Sequence, residues 1–323
     1  MIVTKMMIGK KGSYKNVTNL VQKTTITGRR GDAPRTLSAT LVDSGLFPRA
    51  NIANSGEGEQ VFFYYNKKEI FRGLLMTDSR SNKRILTIKA YDNCIYLCNN
   101  KGNFSFKNQT ATEIFKYCLN KLGLPLGEAV NTGHVIGELI KKNTTYWDVI
   151  QDALSQTYYT TGVRYYVSSE KGKIYLRKRQ EQKSMPILSL KSNIQTYSMS
   201  RSIYKTRTRL TLTTSKDVKK GSFINSALEA KIGEFADIQS VDEDITQTEL
   251  NLKINTFKAE TSLVDQELSV TALGDMRCIS GKCAYVDISA IGAKRIMYIE
   301  EDTHTFGDGY HKMDLKLSYE KTK

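Results

Sequence analysis

The sequence predicts a β-rich α+β fold, in which two barrel-like antiparallel sheet domains flank a mixed α+β insert. Three observations carry that expectation. Short segments of alternating apolar residues fill the first hundred positions, the period turns helical near Thr110, and strand-like alternation returns from Ile194 to the C-terminus. At 323 residues the chain is long enough for two or three packed units. Its hydrophobic content of 40% and charged content of 25% exclude wholesale disorder and a membrane-embedded chain.

Taken in order, Thr25–Arg29 and Arg35–Leu41 read as a strand pair across the turn-rich Gly31-Asp32-Ala33-Pro34. Gln60–Tyr65, Lys68–Leu75 and Arg84–Tyr91 follow, separated by Asn66-Lys67 and by Asp78–Lys83, an arrangement that predicts an antiparallel meander. Asn99–Asn108 is polar and contains glycine, and it reads as a break before the insert. Thr110, Ala111, Thr112 and Glu113 then open a helix through Ile114, Phe115, Cys118 and Leu122, stopped by Gly123 and Pro125. A second helix runs from about Thr145 through Trp147, Ile150 and Leu154, and a hairpin pairs Gly162–Val167 with Lys173–Arg177. Past the polar passage Arg179–Ser184, strands are expected at Ile194–Ser200, Thr206–Thr213, Leu268–Ala272, Cys283–Ile288, Arg295–Asp302 and Met313–Tyr319. The resulting division is 1–100 for the first barrel-like domain, 101–190 for the insert and 191–323 for the second. Residues 226–258 form an acidic, partly helical excursion that packs on the insert.

Composition narrows the chemistry. The five cysteines (Cys94, Cys98, Cys118, Cys278, Cys283) are odd in number and lack a CxxC pair, so they read as reduced, buried thiols. Met1–Leu20 has no apolar signal-peptide core and no segment reaches membrane-spanning length, which predicts synthesis in the cytoplasm. The net charge of +15 asks for a partner, yet the basic residues come in small groups that read as solvated turns and strand edges: Lys10-Lys11, Arg29-Arg30, Lys67-Lys68, Lys141-Lys142, Arg177–Arg179 and Lys219-Lys220.

His304 and His311, with Glu300, Glu301, Asp302, Asp308 and Asp314, form the one cluster that could hold a metal or support acid–base chemistry. Their spacing matches no zinc pattern, and a hairpin turn at Phe306–Gly309 accounts for them better. His134 sits in a turn-like Asn131-Thr132-Gly133 context, and Ser55–Gly58 carries a negative charge that would repel phosphate. Arg30-Gly31-Asp32 spells an adhesion tripeptide, but a turn between strands explains it. Tyr165, Tyr166 and Tyr175 among Lys171, Lys173, Arg177, Lys178 and Arg179 could form a stacking surface for nucleic acid; a half-buried sheet with a charged rim is the simpler reading. No catalytic, cofactor-binding or metal-binding residue is assigned on these grounds, and the sequence reads as non-enzymatic.

Spread along the chain are Gly58-Glu-Gln-Val-Phe-Phe-Tyr-Tyr65, Glu69-Ile-Phe-Arg-Gly73, Ile88-Lys-Ala-Tyr-Asp92 and Ile95-Tyr-Leu97. Tyr298-Ile-Glu-Glu-Asp-Thr-His304 and Tyr310-His-Lys-Met-Asp-Leu-Lys-Leu317 close the sequence. This pattern resembles the baseplate hub proteins of contractile phage tails, including the late-control-protein-like hubs of defective prophages and tail-like bacteriocins (tailocins). The segments Ala111–Leu124 and Trp147–Ala153 look like that family's inserted domain.

The resemblance implies a structural protein of virion assembly, found in a phage-like tail particle put together in the bacterial cytoplasm. It implies a homotrimer whose two barrels per chain make a pseudo-sixfold ring between a hexameric tail tube and a trimeric central spike. Baseplate wedge and tape-measure proteins are further implied partners, with DNA met only non-specifically in the lumen, no cofactor and no membrane insertion. Two alternatives from the residues alone are a basic two-domain nucleic-acid-binding protein, which demands steep salt dependence, and a cell-wall-directed hydrolase, which demands a carboxylate pair in a concave site.

Overall fold

The computed structural model describes residues 4–43, 58–179 and 184–319, apart from the Ala33 side chain. Ser55, Gly56 and Glu57 of the charged glycine turn lie outside these residues, as do residues 180–183 of the polar passage. The molecule is β-rich, with 54% of residues in strands and 20% in helices, distributed over several antiparallel sheets.

The first part of the chain forms β1 (Thr4–Lys10), β2 (Ser13–Asn16), β3 (Val21–Arg29), β4 (Asp32–Val42), β5 (Gln60–Tyr65), β6 (Lys68–Arg80), β7 (Ile85–Tyr91) and α1 (Ile95–Asn99). The middle forms β8 (Lys101–Thr110), α2 (Ala111–Lys121), β9 (Leu126–Ala129), β10 (Val135–Thr145), α3 (Tyr146–Thr161), β11 (Tyr165–Glu170) and β12 (Lys173–Lys178). The last part begins with β13 (Ile187–Ser189), β14 (Ile194–Ser202), β15 (Arg209–Thr213), β16 (Lys219–Ile224), α4 (Ser226–Ile232), β17 (Ala236–Ser240) and α5 (Gln247–Glu260). It ends with β18 (Asp265–Leu273), β19 (Cys283–Ile288), β20 (Ala293–Gly307) and β21 (Tyr310–Ser318).

One sheet of thirteen strands joins the two ends of the chain, in the order β14-β18-β21-β20-β3-β4-β7-β6-β5-β1-β2, with β19 on β20 and β13 on β19. The join is the antiparallel pairing of β20 with β3, from Glu301 opposite Arg29 to Gly307 opposite Lys23. Each half has its own core. Ile26, Leu37, Phe63, Leu86 and Ile88 fill the first, and Leu268, Val270, Met313, Leu315 and Leu317 fill the second. Phe306 of β20 reaches into the first core, with its ring 5.1 Å from Phe63 and 5.4 Å from Tyr65.

Three tight hairpins follow from local sequence. Asn66-Lys67, Lys171-Gly172 and Asp308-Gly309 all have positive φ at both positions, the two-residue turn whose twist matches that of paired strands.

The order of strands departs from the expected meander. β5, β6 and β7 do run as one, but β4 pairs with β7 and β1 pairs with β5, so β7 and β6 come between the sequence neighbours β4 and β5. The polar break expected at Asn99–Asn108 is in fact mostly strand. β8 starts at Lys101 and pairs with β10, burying Phe104 and Phe106 against the insert's helices while the alternate side chains face water. Only two apolar residues in ten made the segment look like a linker. Likewise Thr206–Arg207–Thr208 is not strand: the Thr206 N–H bonds the Ile203 carbonyl, and those of Arg207 and Thr208 bond the Thr261 and Phe235 carbonyls. Gly162 is the left-handed cap of α3, with φ 73°, and not the first strand residue of the hairpin.

The insert's helices start where capping chemistry dictates. Thr110 Oγ1 accepts the Glu113 backbone N–H at 3.3 Å, and the Glu113 carboxylate accepts the Thr110 N–H at 2.7 Å, a complete capping box. Thr110→Ala is therefore expected to lower the stability of the chain by about 1 kcal/mol, read from the urea midpoint. An unchanged midpoint would mean that packing of Ile114, Phe115 and Cys118 alone sets this helix start.

The acidic stretch supplies α4, β17 and α5. With β15 and β16 these make a small unit with its own core of Leu210, Leu212, Val241, Leu250 and Phe257. The Tyr159 hydroxyl of α3 hydrogen-bonds the Glu260 carboxylate at the end of α5.

Candidate functional site: the seam between the two halves

The residues that draw attention in the sequence as possible chemistry converge on the β20–β3 join. β20 is unusually long, and its neighbour on one side changes partway: it pairs with β19 up to Tyr298 and with β3 from Glu301. A register shift against β21 falls between Ile299 and Glu301, so Glu300 sits in a bulge where the neighbour changes.

Each of three consecutive acids there meets an arginine of the β3–β4 hairpin. Glu300 accepts Arg30 Nε at 2.6 Å, Glu301 lies 3.0 Å from Arg29 Nε, and Asp302 takes both arms of Arg35 at 2.8 and 2.6 Å. Glu300 also accepts Arg179 Nη2 at 2.6 Å and the Ser318 hydroxyl at 2.5 Å, and Arg179 stacks over the Tyr298 ring at 4.2 Å. Asp302 further accepts the Ser280 backbone N–H at 2.6 Å.

Burial pushes the Glu300 carboxyl up, but Arg179 and Arg30 outweigh it and bring its pKa down to about 2. At Asp302, burial is likewise more than offset by Arg35 and its hydrogen bonds, so the carboxyl titrates below its ordinary value. These are charge-assisted, forked pairs, which fix geometry as well as charge.

The two histidines lie beside them. His304 Nε2 is 2.9 Å from the Cys278 carbonyl, which can only accept, so the proton of neutral His304 is on Nε2. Its Nδ1 then accepts from His311 Nε2 at 3.0 Å. That leaves His311 Nδ1 a buried lone pair without a hydrogen-bond partner among the described residues. Burial lowers the pKa of both rings, in His304 against the pull of Asp302, and in His311, helped by His304, to about 4. His311 is packed by Phe306, stacked at 4.1 Å, and by the edge of Tyr65 at 5.0 Å.

The cluster singled out in the sequence is thus a structural clamp. Its carboxylates are spent on arginines and its histidines on each other, while Asp308 lies in the hairpin turn and Asp314 accepts the Thr271 hydroxyl at 2.6 Å. Among the described residues no group of three His, Cys, Asp or Glu side chains is placed to hold a metal ion.

Arg30 of the adhesion tripeptide belongs to the clamp. This corrects the reading of Arg30 and Arg179 as solvated residues, since Arg179 is only 5% exposed, whereas Arg29 is exposed as expected. Their role was invisible because the partners are some 270 and 121 residues away. His134 lies in a loop, apart from these groups, its N–H bonded to the Thr132 carbonyl. In the tyrosine-rich hairpin Tyr166 is buried, and Arg177 lies over Tyr175 at 4.4 Å while its guanidinium bonds Glu170 at 2.5 Å. Of the five cysteines, Cys94, Cys118, Cys278 and Cys283 are buried and Cys98 is partly buried.

Comparison with known proteins extends the reading over the whole chain. A family model described as YqbQ-like matches residues 24–318. The phage-like element PBSX protein XkdQ of Bacillus subtilis is 32% identical over 307 residues, covering 94% of each chain. A 43 kDa tail protein of prophage MuSo2 from Shewanella oneidensis superposes with a TM-score of 0.72 at 15% identity, covering 98% of each chain. The E. coli c3393 protein, a type VI secretion component with structural similarity to T4 tail proteins gp27 and gp5, superposes with a TM-score of 0.59 at 10% identity. That match covers 93% of this chain and 74% of the other. At these identities the two structural likenesses are likenesses of fold.

Proposed function

From the premise that the chain belongs to the YqbQ-like family, we propose that it is the structural hub of a contractile-tail baseplate and catalyses no reaction. Three copies close into a ring that adapts a hexameric tail tube to a trimeric central spike. In this reading residues 1–100 and 191–323 supply two barrel-like domains of the ring, 101–190 form the insert, and 226–258 dock on that insert. The particle is a phage-like tail, assembled in the bacterial cytoplasm, with wedge and tape-measure proteins as further neighbours.

The observation that carries this reading is the clamped seam. A symmetry adaptor needs its two similar halves at a fixed angle, and the β20–β3 pairing with its three arginine–carboxylate pairs supports that rigidity. At the ends of the sheet, β14 and β2 each keep one edge without a partner strand among the described residues. Open edges gain stability when further copies cover them. The relationship to a PBSX protein and the fold shared with a prophage tail protein support the same assignment.

Light scattering over a concentration series, with and without the candidate spike protein, tests it. A trimer in either condition is the expected mass. A monomer at every concentration, indifferent to the spike, would overturn the hub reading.

A further inference from the structure

Where the start of β6, the β11–β12 turn and the loop before β19 meet, the surface opens into a cleft of about 190 Å3. Its walls are fixed. The Asn93 side-chain amide donates to the Gly172 carbonyl at 2.7 Å, and the Trp147 indole donates to the Gly31 carbonyl at 3.0 Å. At Gly281 the loop before β19 lies so close to the Tyr166 ring that a Cβ would stand 2.5 Å from it.

Most charges on the walls cancel in pairs. Arg35 is held by Asp302, Arg72 by Glu69 at 2.8 Å, and Glu170 by Arg177 at 2.5 Å. Two ammonium groups are left over: half-buried Lys282 and exposed Lys171 line the cleft, and neither is ion-paired among the described residues. The Ser168 and Ser280 hydroxyls each accept a guanidinium N–H, at 3.1 and 3.3 Å, which leaves their own protons to donate; Ser169 stands beside them. Asp32 is matched by Arg29 at 3.2 Å, and Asp92 is turned to the Cys94 backbone N–H at 2.9 Å.

We propose that this cleft is a binding site for a small oxyanion, a carboxylate or phosphate group, held by Lys282 and Lys171 with the serine hydroxyls as donors. The preference follows from the positive charge of the two lysines left after pairing and from a donor set whose flanking carboxylates, Glu170 and Asp92, are already hydrogen-bonded to Arg177 and to the Cys94 N–H. Burial lowers the Lys282 pKa, Glu170 opposes it, and the nearby Arg177 and Arg35 lower it further. An arriving anion relieves that strain, so ligand and ammonium stabilise each other. The site goes beyond the hub role and does not depend on it.

The test is calorimetric titration of the full chain with inorganic phosphate and, separately, with acetate, each against chloride at matched ionic strength. Saturable binding of at least one anion is expected, weakened tenfold or more in Lys282→Met and several-fold in Lys171→Gln, whose exposed position keeps folding out of question. Lys216→Met, which removes a surface lysine bonded to Glu243 outside the cleft, should bind as the wild type does. Tighter phosphate binding identifies a phosphate-type ligand; tighter acetate binding identifies a carboxylate, such as an acidic side chain of a neighbouring protein. No saturable response to either anion overturns the site, as does undiminished binding by both Lys282→Met and Lys171→Gln.

Discussion

Asp302→Ala is expected to destabilise the chain by about 3–5 kcal/mol, the range for breaking a buried ion pair by removing one partner. The Asp302 side chain is fully buried and that of Arg35 is 17% exposed, so the substitution strands a guanidinium with little access to water. It also removes the acceptor of the Ser280 N–H. The loss corresponds to a fall in Tm on the order of 10 °C for a chain of this size. Replacing both partners, as in Arg35→Met with Asp302→Leu, should recover much of the loss, because the cost lies in the uncompensated charge. Thermal unfolding of the two single variants and the double variant decides it. A loss below about 1 kcal/mol in Asp302→Ala would show that the seam is held by strand pairing and the Phe306 contacts alone.

Acidification from pH 6.5 to 4 is expected to act on three buried groups: His304 and His311, both with lowered pKa, in one direction and Asp92 in the other. His311 has its pKa lowered from 6.5 to about 4 by burial and by His304. Its neutral form is favoured on folding, so its contribution is complete above pH 6.5 and is lost as pH falls toward 4. Asp92 has its pKa raised from 3.8 to about 6, chiefly by burial, against the Cys94 N–H and Arg35. Its protonated form is favoured on folding, so its contribution is complete below pH 3.8 and is lost as pH rises through 6. Each is worth up to about 3 kcal/mol at the limit, at about 1.4 kcal/mol per pH unit.

The wild type should therefore lose stability on acidification through this window, with Asp92 offsetting part of the loss from the two histidines. Asp92→Asn should make stability fall more steeply on acidification than in the wild type, and His311→Gln should flatten the fall, with His304 still opposing Asp92. The acids of the seam do not confuse the window, because Glu300 gives up its contribution only between pH 4.5 and about 2. Melting curves at half-unit intervals test the signs; parallel pH profiles in wild type and both variants would refute the assignment.

Much of the architecture was legible in the sequence because it is encoded within a few residues. The strand-like run at Arg84–Tyr91, the Thr110–Glu113 capping box and the Asn66-Lys67 turn each state their structure locally, and the fold provides it. The hub-like motifs fall on β5, β6, β7, β20 and β21, all strands of the large sheet, except Ile95-Tyr-Leu97, which lies in α1. β8 escaped notice because its inward face is reduced to Phe104 and Phe106, too few for a hydrophobic pattern to stand out from a polar background. The clamp was half legible. The acids and histidines of β20 were conspicuous, whereas Arg30, Arg35 and Arg179 looked like any basic surface residue.

The sequence alone determined that this chain is β-rich, where thirteen of the described strands lie, though not all their ends, and which family pattern they carry. Only the tertiary structure decided which strands pair. It set β4 beside β7 and brought β20 to β3 across most of the chain's length. It also decided what the charged residues are for. Strand formation is a matter of φ, ψ and alternation, which neighbours in sequence dictate. Pairing and charge compensation depend on residues that come close only after the cores of both halves have formed, and nothing in the local sequence of Glu300, Glu301 or Asp302 names the arginines they will meet.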